Sequence, residues 1–364
     1  MNRRSNVRRP GQVQEPNCAA PAGNACLWVG LSFLLALVDR TPALPIARAL
    51  TLALALVVFG STTANAQSYP SKPVKIYQGF AVGGNADTIG RLVAQSLTEE
   101  LGQPFLVESK TGAGGNIASD FVAKSAADGY SLVLLTGGHA VSAAMYKTLA
   151  FDPLNDFKWL SLVTVFPFVI GTSVDSKIKT IADLITTARN EPDKLSFSSV
   201  GVGTTQHLAG ELLQSAAKIR MLHIPYRGGG APVQDVITGR VDILFDSVTV
   251  TRAQVAGGKL RALAVTSTSR IPQLPDVPAV AETLPGFNVT SWAAIAAPSG
   301  LPAEIANRLH AAIAKTVAKP EIGKRLYDLG GIATSSTPEE TAKHVAREIE
   351  TWKRVVDQAN IPKQ

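Results

Sequence analysis

The sequence predicts an α/β protein with room for two domains, and three observations carry that expectation. Short β-rich runs alternate with amphipathic helical periods along most of the chain, as in βαβ units. At 364 residues the chain is too long for one small domain and about right for two. Several strands end in loops of small residues that open a helix, the arrangement found at the carboxyl edge of open α/β sheets. With 46% hydrophobic and 17% charged residues, the composition is that of a chain that folds.

Val74–Gln78 reads as the first strand. The loop Gly79–Asp87 leads to a helix whose Ile89, Leu92, Val93 and Leu97 share a face, with Gly102 placed to stop it. Phe105–Glu108 is the next strand, followed by the loop SKTGAGGN and a helix near 117–125. Asp128-Gly129 turns the chain into Leu132–Leu135, a buried-type strand, and TGGHAVS at 136–142 reads as a loop. Phe168–Thr172 is apolar and placed to cross between domains. Thr180-Ile181-Ala182-Asp183 opens a helix with a capping-box pattern. Leu195–Ser199, Met221–Ile224, Val241–Asp246 and Leu260–Val265 are strands, with a helix through Leu208 and Leu212 after the first. Pro272, Pro275, Pro278 and Pro285 make 271–286 an irregular connection, and Trp292–Ala297 is a second crossing run. Two helices end the chain. Ile305, Leu309, Ile313 and Val317 share a face of the first. The second starts at Thr337-Pro338-Glu339-Glu340 and carries the stripe Ala342, Val345, Ile349, Trp352, Val356.

Residues 48–66, RALTLALALVVFGSTTANA, hold the parts of a secretory signal peptide. Arg48 precedes the apolar run Ala49–Gly60, and Ala64-Asn65-Ala66 sets cleavage after Ala66. The run falls short of the ~20 apolar residues that span a bilayer. Both cysteines, Cys18 and Cys26, lie in this leader, so the chain beyond it has no disulfide, thiolate nucleophile or Cys-ligated metal. The formal net charge is +7, but the leader holds six Arg against Glu15 and Asp39, and 29 basic and 26 acidic residues remain beyond it. That balance gives no reason to expect a nucleic-acid partner. The expectation is an exported, periplasmic protein.

Enzyme signatures are missing. There is no Walker A sequence, no Gly-x-Ser-x-Gly elbow and no His-Glu-x-x-His pair. The histidines at 139, 207, 223, 310 and 344 do not stand at metal-ligand spacing. No catalytic residue, metal or cofactor is expected. The positive signal is the recurrence of small-residue loops at 79–88, 111–117, 136–142 and 198–205. Such loops expose backbone N–H groups at helix N-termini, where the dipole favours negative charge. Gly79–Thr88, Thr136–Ser142 and Ser198–Thr205 contain no Lys or Arg. An anion there would be held by N–H groups and by the hydroxyls of Thr88, Ser198, Ser199, Thr204 and Thr205. This suits a ligand that must be released, since a bidentate Arg clamp holds harder. Asp246, at a strand end, reads equally as a ligand contact and as a cap for the next turn.

Taken together, YPSKPVKI at 69–76, GGNAD at 83–87, ESKTGAGGN at 108–116, GVGTTQHLAGELL at 201–213, HIPYRGGGAPVQDVITGRVDILFD at 223–246 and GKLRALAVTSTSRIPQLPDVPAVAET at 258–283 carry a resemblance. Over nearly all of 69–360 the chain resembles the substrate-binding proteins of tripartite tricarboxylate transporters, the Bug family. The resemblance implies two Rossmann-like α/β domains with a ligand cleft and a two-strand hinge, like type II periplasmic binding proteins. Domain 1 would comprise 67–168 plus 287–364, and domain 2 would comprise 169–286. It also implies a ligand carboxylate held largely by backbone and water-mediated bonds from loops at the domain edges, over Phe80–Asp87 and Ser199–Thr205 with His207. The candidate ligand-binding residues are Phe80, Ala81, Val82, Gly83, Gly84, Asn85, Asp87, Thr136, Gly138, His139, Ser199, Gly201, Gly203, Thr204, Thr205, His207 and Asp246. Where the family often has Pro-Phe-x-Pro-Gly-Gly in the first loop, this chain has Gly79-Phe80-Ala81-Val82-Gly83-Gly84, and Thr111 replaces a frequent Pro. The implied function is a monomeric receptor that binds a small organic acid and delivers it to membrane transporter subunits. The alternative is a ligand-sensing receptor feeding a two-component signalling system.

Overall fold

Strand β4 (Phe157–Ser173) organises the molecule. Its 17 residues are almost continuously buried, as expected of a central strand covered on both faces. Along its first stretch, Phe157–Pro167, it pairs antiparallel with β9 (Thr290–Pro298). From Phe168 onward it pairs antiparallel with β7 (Ile243–Ser247) and β8 (Leu260–Val265). Pro167, which has no N–H to give to a ladder, stands where the partners change.

The computed structural model describes residues 69–364; the expected signal peptide, its expected cleavage site and both cysteines lie outside the described residues. In one half, β1 (Val74–Gln78) lies between β2 (Phe105–Ser109) and β3 (Ser131–Thr136), all parallel, and β9 joins antiparallel to β3. In the other half, β7 pairs parallel with β5 (Ser196–Ser199), which pairs parallel with β6 (Leu222–Pro225). The order is therefore β2-β1-β3-β9-β4-β7-β5-β6, with β8 and the short β10 (Ile332–Ala333) also on β4. The fold is thus the expected α/β arrangement in two halves, and the chain passes between them at Pro167–Phe168 and at Val289–Thr290. Thr266 pins the two crossings together. Its Oγ1 accepts from the Phe168 amide at 2.8 Å and donates to the Val289 carbonyl at 2.6 Å.

The helices follow from local chemistry. α1 (Asn85–Leu101) buries Ile89, Leu92, Val93 and Leu97 and ends at Gly102 in the left-handed conformation, φ 71°. α2 spans Asn116–Ala123. α4 (Ile181–Asn190) starts in the full Thr180/Asp183 capping box. α5 (Thr205–Ala217) has Thr204 as its N-cap. α8 (Ala303–Ala318) buries Leu309, Ile313 and Val317. α10 (Pro338–Gln358) opens in the Thr337/Glu340 capping box and buries Val345, Ile349, Trp352 and Val356. Among the described residues no helix is long and apolar enough to cross a membrane.

The region 136–142 differs from expectation. Most of it belongs to α3 (Gly138–Met145), a helix. Nearly every residue of α3 is buried, so it shows no amphipathic period to read. α6 (Ala231–Ile237), α7 (Val248–Ala256) and α9 (Pro320–Asp328) complete the set. The Val-Thr-Val-Thr start of α7 has strand-like propensity, and tertiary context overrides it.

Candidate ligand cleft

The carboxyl ends of β1, β3, β5, β6 and β7 face one another where the halves meet. The cleft between them is lined by Phe80, Gly84, Asn85, Ala86, Thr136, Phe166, Phe168, Val200, Gln206, Gly228, Gly229, Asp246 and Ser291. It holds about 420 Å³ of empty space, open solvent at its mouth included. Phe80, Phe166, Phe168 and Val200 make apolar wall. Asn85 begins α1 and Gln206 lies in the first turn of α5, so two helix starts, with their unshared amides and favourable dipoles for an anion, border the space. Asp246 is the only ionisable side chain in the lining.

Gln78, fully buried, sets the first loop. Its amide accepts from the Phe80 N–H at 2.7 Å and donates to the Phe80 carbonyl at 2.8 Å. The next amide, that of Ala81, donates across the cleft mouth to the Arg227 carbonyl at 2.9 Å, and Ala81 and Gly228 form a parallel bridge. Gly228 has φ 90°, and a Cβ there would lie 3.2 Å from Phe80 Cβ. The Asp87 carboxylate accepts from the Gly83 N–H at 3.0 Å and pairs with Arg91, again at 3.0 Å. It shapes the loop and does not line the cleft. Val82 is 64% exposed.

The loop before α5 is built around one hydroxyl. Thr204 Oγ1 donates to the Gly201 carbonyl at 2.6 Å and accepts from the His207 N–H at 3.3 Å. His207 Nδ1 accepts from the Gly203 N–H at 3.4 Å, and its ring stacks on His223 with centroids 4.0 Å apart. His223 lies 2.7 Å from Ser199 Oγ. Burial, and then the neighbouring His207, hold its pKa down to about 3. Gly203 has φ 76°, and a Cβ there would meet the Tyr146 ring at 2.6 Å. Thr205 Oγ1 stands 3.5 Å from Ser291 Oγ, which accepts from the Gly137 N–H at 3.2 Å. Gly138 packs beside Thr136 Oγ1 and the Thr204 backbone.

Of the expected residues, Phe80, Gly84, Asn85, Thr136 and Asp246 thus come together in the lining. Ala81, Val82, Gly83, Asp87, Gly138, Ser199, Gly201, Gly203, Thr204, Thr205 and His207 form the loops and supports around it. His139 is not in this lining but borders a second small cavity with Asn116 and Ser119, which shares Phe80 and Thr136 with the cleft. Its Nε2 donates to the Pro153 carbonyl at 2.7 Å, and burial lowers its pKa to about 4. The lining also contains Ala86 and Val200, which fall within the expected segments, and Phe166, Phe168, Gln206, Gly228, Gly229 and Ser291, which sequence reasoning did not select. The run Gly228-Gly229-Gly230 was a visible signal for two of them. Phe166, Phe168 and Ser291 gave none, because they sit inside strands.

A curled α/β sheet in two halves, with a cleft at the strand ends, defines a solute-binding receptor of the periplasmic binding protein type. The chain belongs to the tripartite tricarboxylate transporter family of receptors, whose profile matches residues 89–361. It is 37% identical over 307 residues to the UPF0065 protein in the tcbD-tcbE intergenic region of Pseudomonas sp. strain P51, covering 84% of this chain and 91% of that protein. It is 33% identical to the periplasmic binding protein BugD, with a TM-score of 0.78 over 81% of this chain and 100% of that one. The structure of R. palustris Rpa4515 with adipate gives 32% identity and a TM-score of 0.79, over 81% and 100% of the respective chains.

Proposed function

We propose that this protein is a periplasmic receptor that captures a small organic carboxylate and delivers it to the membrane subunits of a tripartite tricarboxylate-type transporter. The observation that carries the reading is the cleft itself. It is small and walled in part by aromatic rings, and it is bordered by the starts of α1 and α5 with no cationic side chain in its lining. Amide groups and dipoles hold an anion there without the grip of an Arg clamp, as a carrier that must release its load requires. The family membership and the adipate bound to Rpa4515 support the same ligand class. In this reading 67–168 plus 287–364 and 169–286 act as two domains hinged at the paired crossings. The chain is exported and its signal peptide cleaved after Ala66, the receptor works as a monomer, and the ligand is bound and not turned over.

The deciding experiment is mass spectrometry of the small molecules released when protein purified from its host is denatured. A stoichiometric organic acid, recovered chemically unchanged, is the expected result. A stoichiometric cation or uncharged solute in its place would overturn the proposal.

A further inference from the structure

Asp246 lines the cleft and is only 3% exposed. Its Oδ1 is occupied, accepting from the Ser247 N–H at 2.7 Å and from Ser247 Oγ at 3.5 Å. Among the described residues its Oδ2 has no hydrogen bond of normal length. Gln206, also in the lining, is the one other polar side chain that acts on the carboxyl. Among the described residues no charge compensates it. On the elements packed around β7, His207 and Glu211 of α5 face each other at 3.6 Å. Asp235 of α6 is held by Tyr226 and Arg240, and Arg252 of α7 bonds the Asp328 carbonyl. Lys158 of β4 lies at the far end of that strand, beside Ala297. Across the cleft, Arg91 of α1 is taken by Asp87. A buried carboxylate in such surroundings needs a hydrogen bond from whatever fills the cleft.

We propose that Asp246 is the specificity-determining residue of the cleft. Its free oxygen demands a proton donor, so the preferred ligand is an acid with one carboxylate and, at its other end, an N–H or O–H group. A fully ionised dicarboxylate would bring a second negative charge against Asp246, and it binds only with uptake of one proton from solvent. That proton sits on the Asp246 carboxyl and is donated in a hydrogen bond to the ligand oxygen. Burial already raises the Asp246 pKa to about 7, against the lowering effect of its bonds to Ser247 and of the nearby Gln206 amide, so the proton is available near neutrality. The inference rests on the carboxylate-receptor reading and deepens it.

Calorimetry with adipate, succinate and their monoamides tests it, because each monoamide has the shape of its diacid but a neutral donor at one end. At pH 8 the wild type is expected to bind a monoamide at least about tenfold tighter than the parent diacid. Diacid affinity should fall about tenfold per pH unit above neutrality, as uptake of one proton requires. Heats measured in two buffers of unlike ionisation enthalpy count that proton directly in the wild type, with no variant needed. In Asp246→Asn, with folding checked by circular dichroism, the proton uptake and the preference for the monoamide should both vanish. Diacid binding without proton uptake, at equal affinity to the monoamide and unchanged in Asp246→Asn, would overturn the inference alone. No binding of any of the four compounds would instead bring down the carboxylate reading, and the inference with it.

Discussion

The Thr204 hydroxyl is used twice, as donor to Gly201 and as acceptor from the first turn of α5. Losing an N-cap of this kind costs about 1 kcal/mol. Thr204→Ala should therefore lower stability by that amount in urea denaturation, and Thr204→Ser should restore it. Any loss of ligand affinity would then follow from a loosened loop. His139 makes a different prediction. Its folded pKa of about 4 lies below the unfolded value of 6.5. Between those values the unfolded chain holds more protons, so the stabilisation is complete above pH 6.5 and is lost as pH falls toward 4. The gap corresponds to roughly 3 kcal/mol at most. His223 acts in the same direction. Unfolding free energies at pH 7 and pH 5 should show the loss, and the His139 ring proton shift should stay flat across that interval in folded protein. At this scale the sequence exposed Thr204 and Asp246, which stand at loop and strand ends. It hid Ser291, whose hydroxyl acquires meaning only when β9 lies against Gly137.

Among the elements, the paired crossings at Pro167–Phe168 and Val289–Thr290 are the parts on which movement would turn. Thr266 is their common tie. Thr266→Val keeps the shape but removes the acceptor for the buried Phe168 N–H. An unsatisfied buried donor costs about 1–3 kcal/mol, so the variant should unfold at correspondingly lower urea concentration. Its ligand off-rate should also change, and stopped-flow fluorescence would read it. Helices with a polar face, α1, α8 and α10, were legible because burial on one side leaves a 3.6-residue period. α3 was not, because it is buried all round. The first stretch of β4 also escaped notice. The Pro at 167 argues against a central strand, and only the sheet shows that the ladder changes partners there.

Over the whole molecule, the two halves touch at the cleft mouth through the Ala81–Arg227 hydrogen bond and the close approach of Gly228 to Phe80. Opening of the cleft would break these contacts. If the halves open to admit ligand, small-angle scattering should give a smaller radius of gyration at saturation than in free protein. Gly228→Val places a branched side chain against Phe80 and at a left-handed backbone position. The variant is expected to stay expanded with ligand present and to bind at least about tenfold more weakly, a difference near 1.4 kcal/mol. The α/β class was legible from the alternation of strands and helices. The contacts across the mouth were not, since they join loops far apart in sequence.

The sharing of β4 between both halves has a consequence for the order in which the chain can fold. β3 gains its second neighbour only when β9 arrives, and Gly137 bonds Ser291 across 154 positions. Ser161 of β4 likewise waits for Ser336, 175 positions later. Contacts of such long range make folding slow, because the entropy of closing large loops is lost before the contacts form. During synthesis the first half of the sheet therefore lacks its inner strand until most of the chain exists. A newly made chain with this topology is expected to complete the β3–β9–β4 part of its sheet only late in translation.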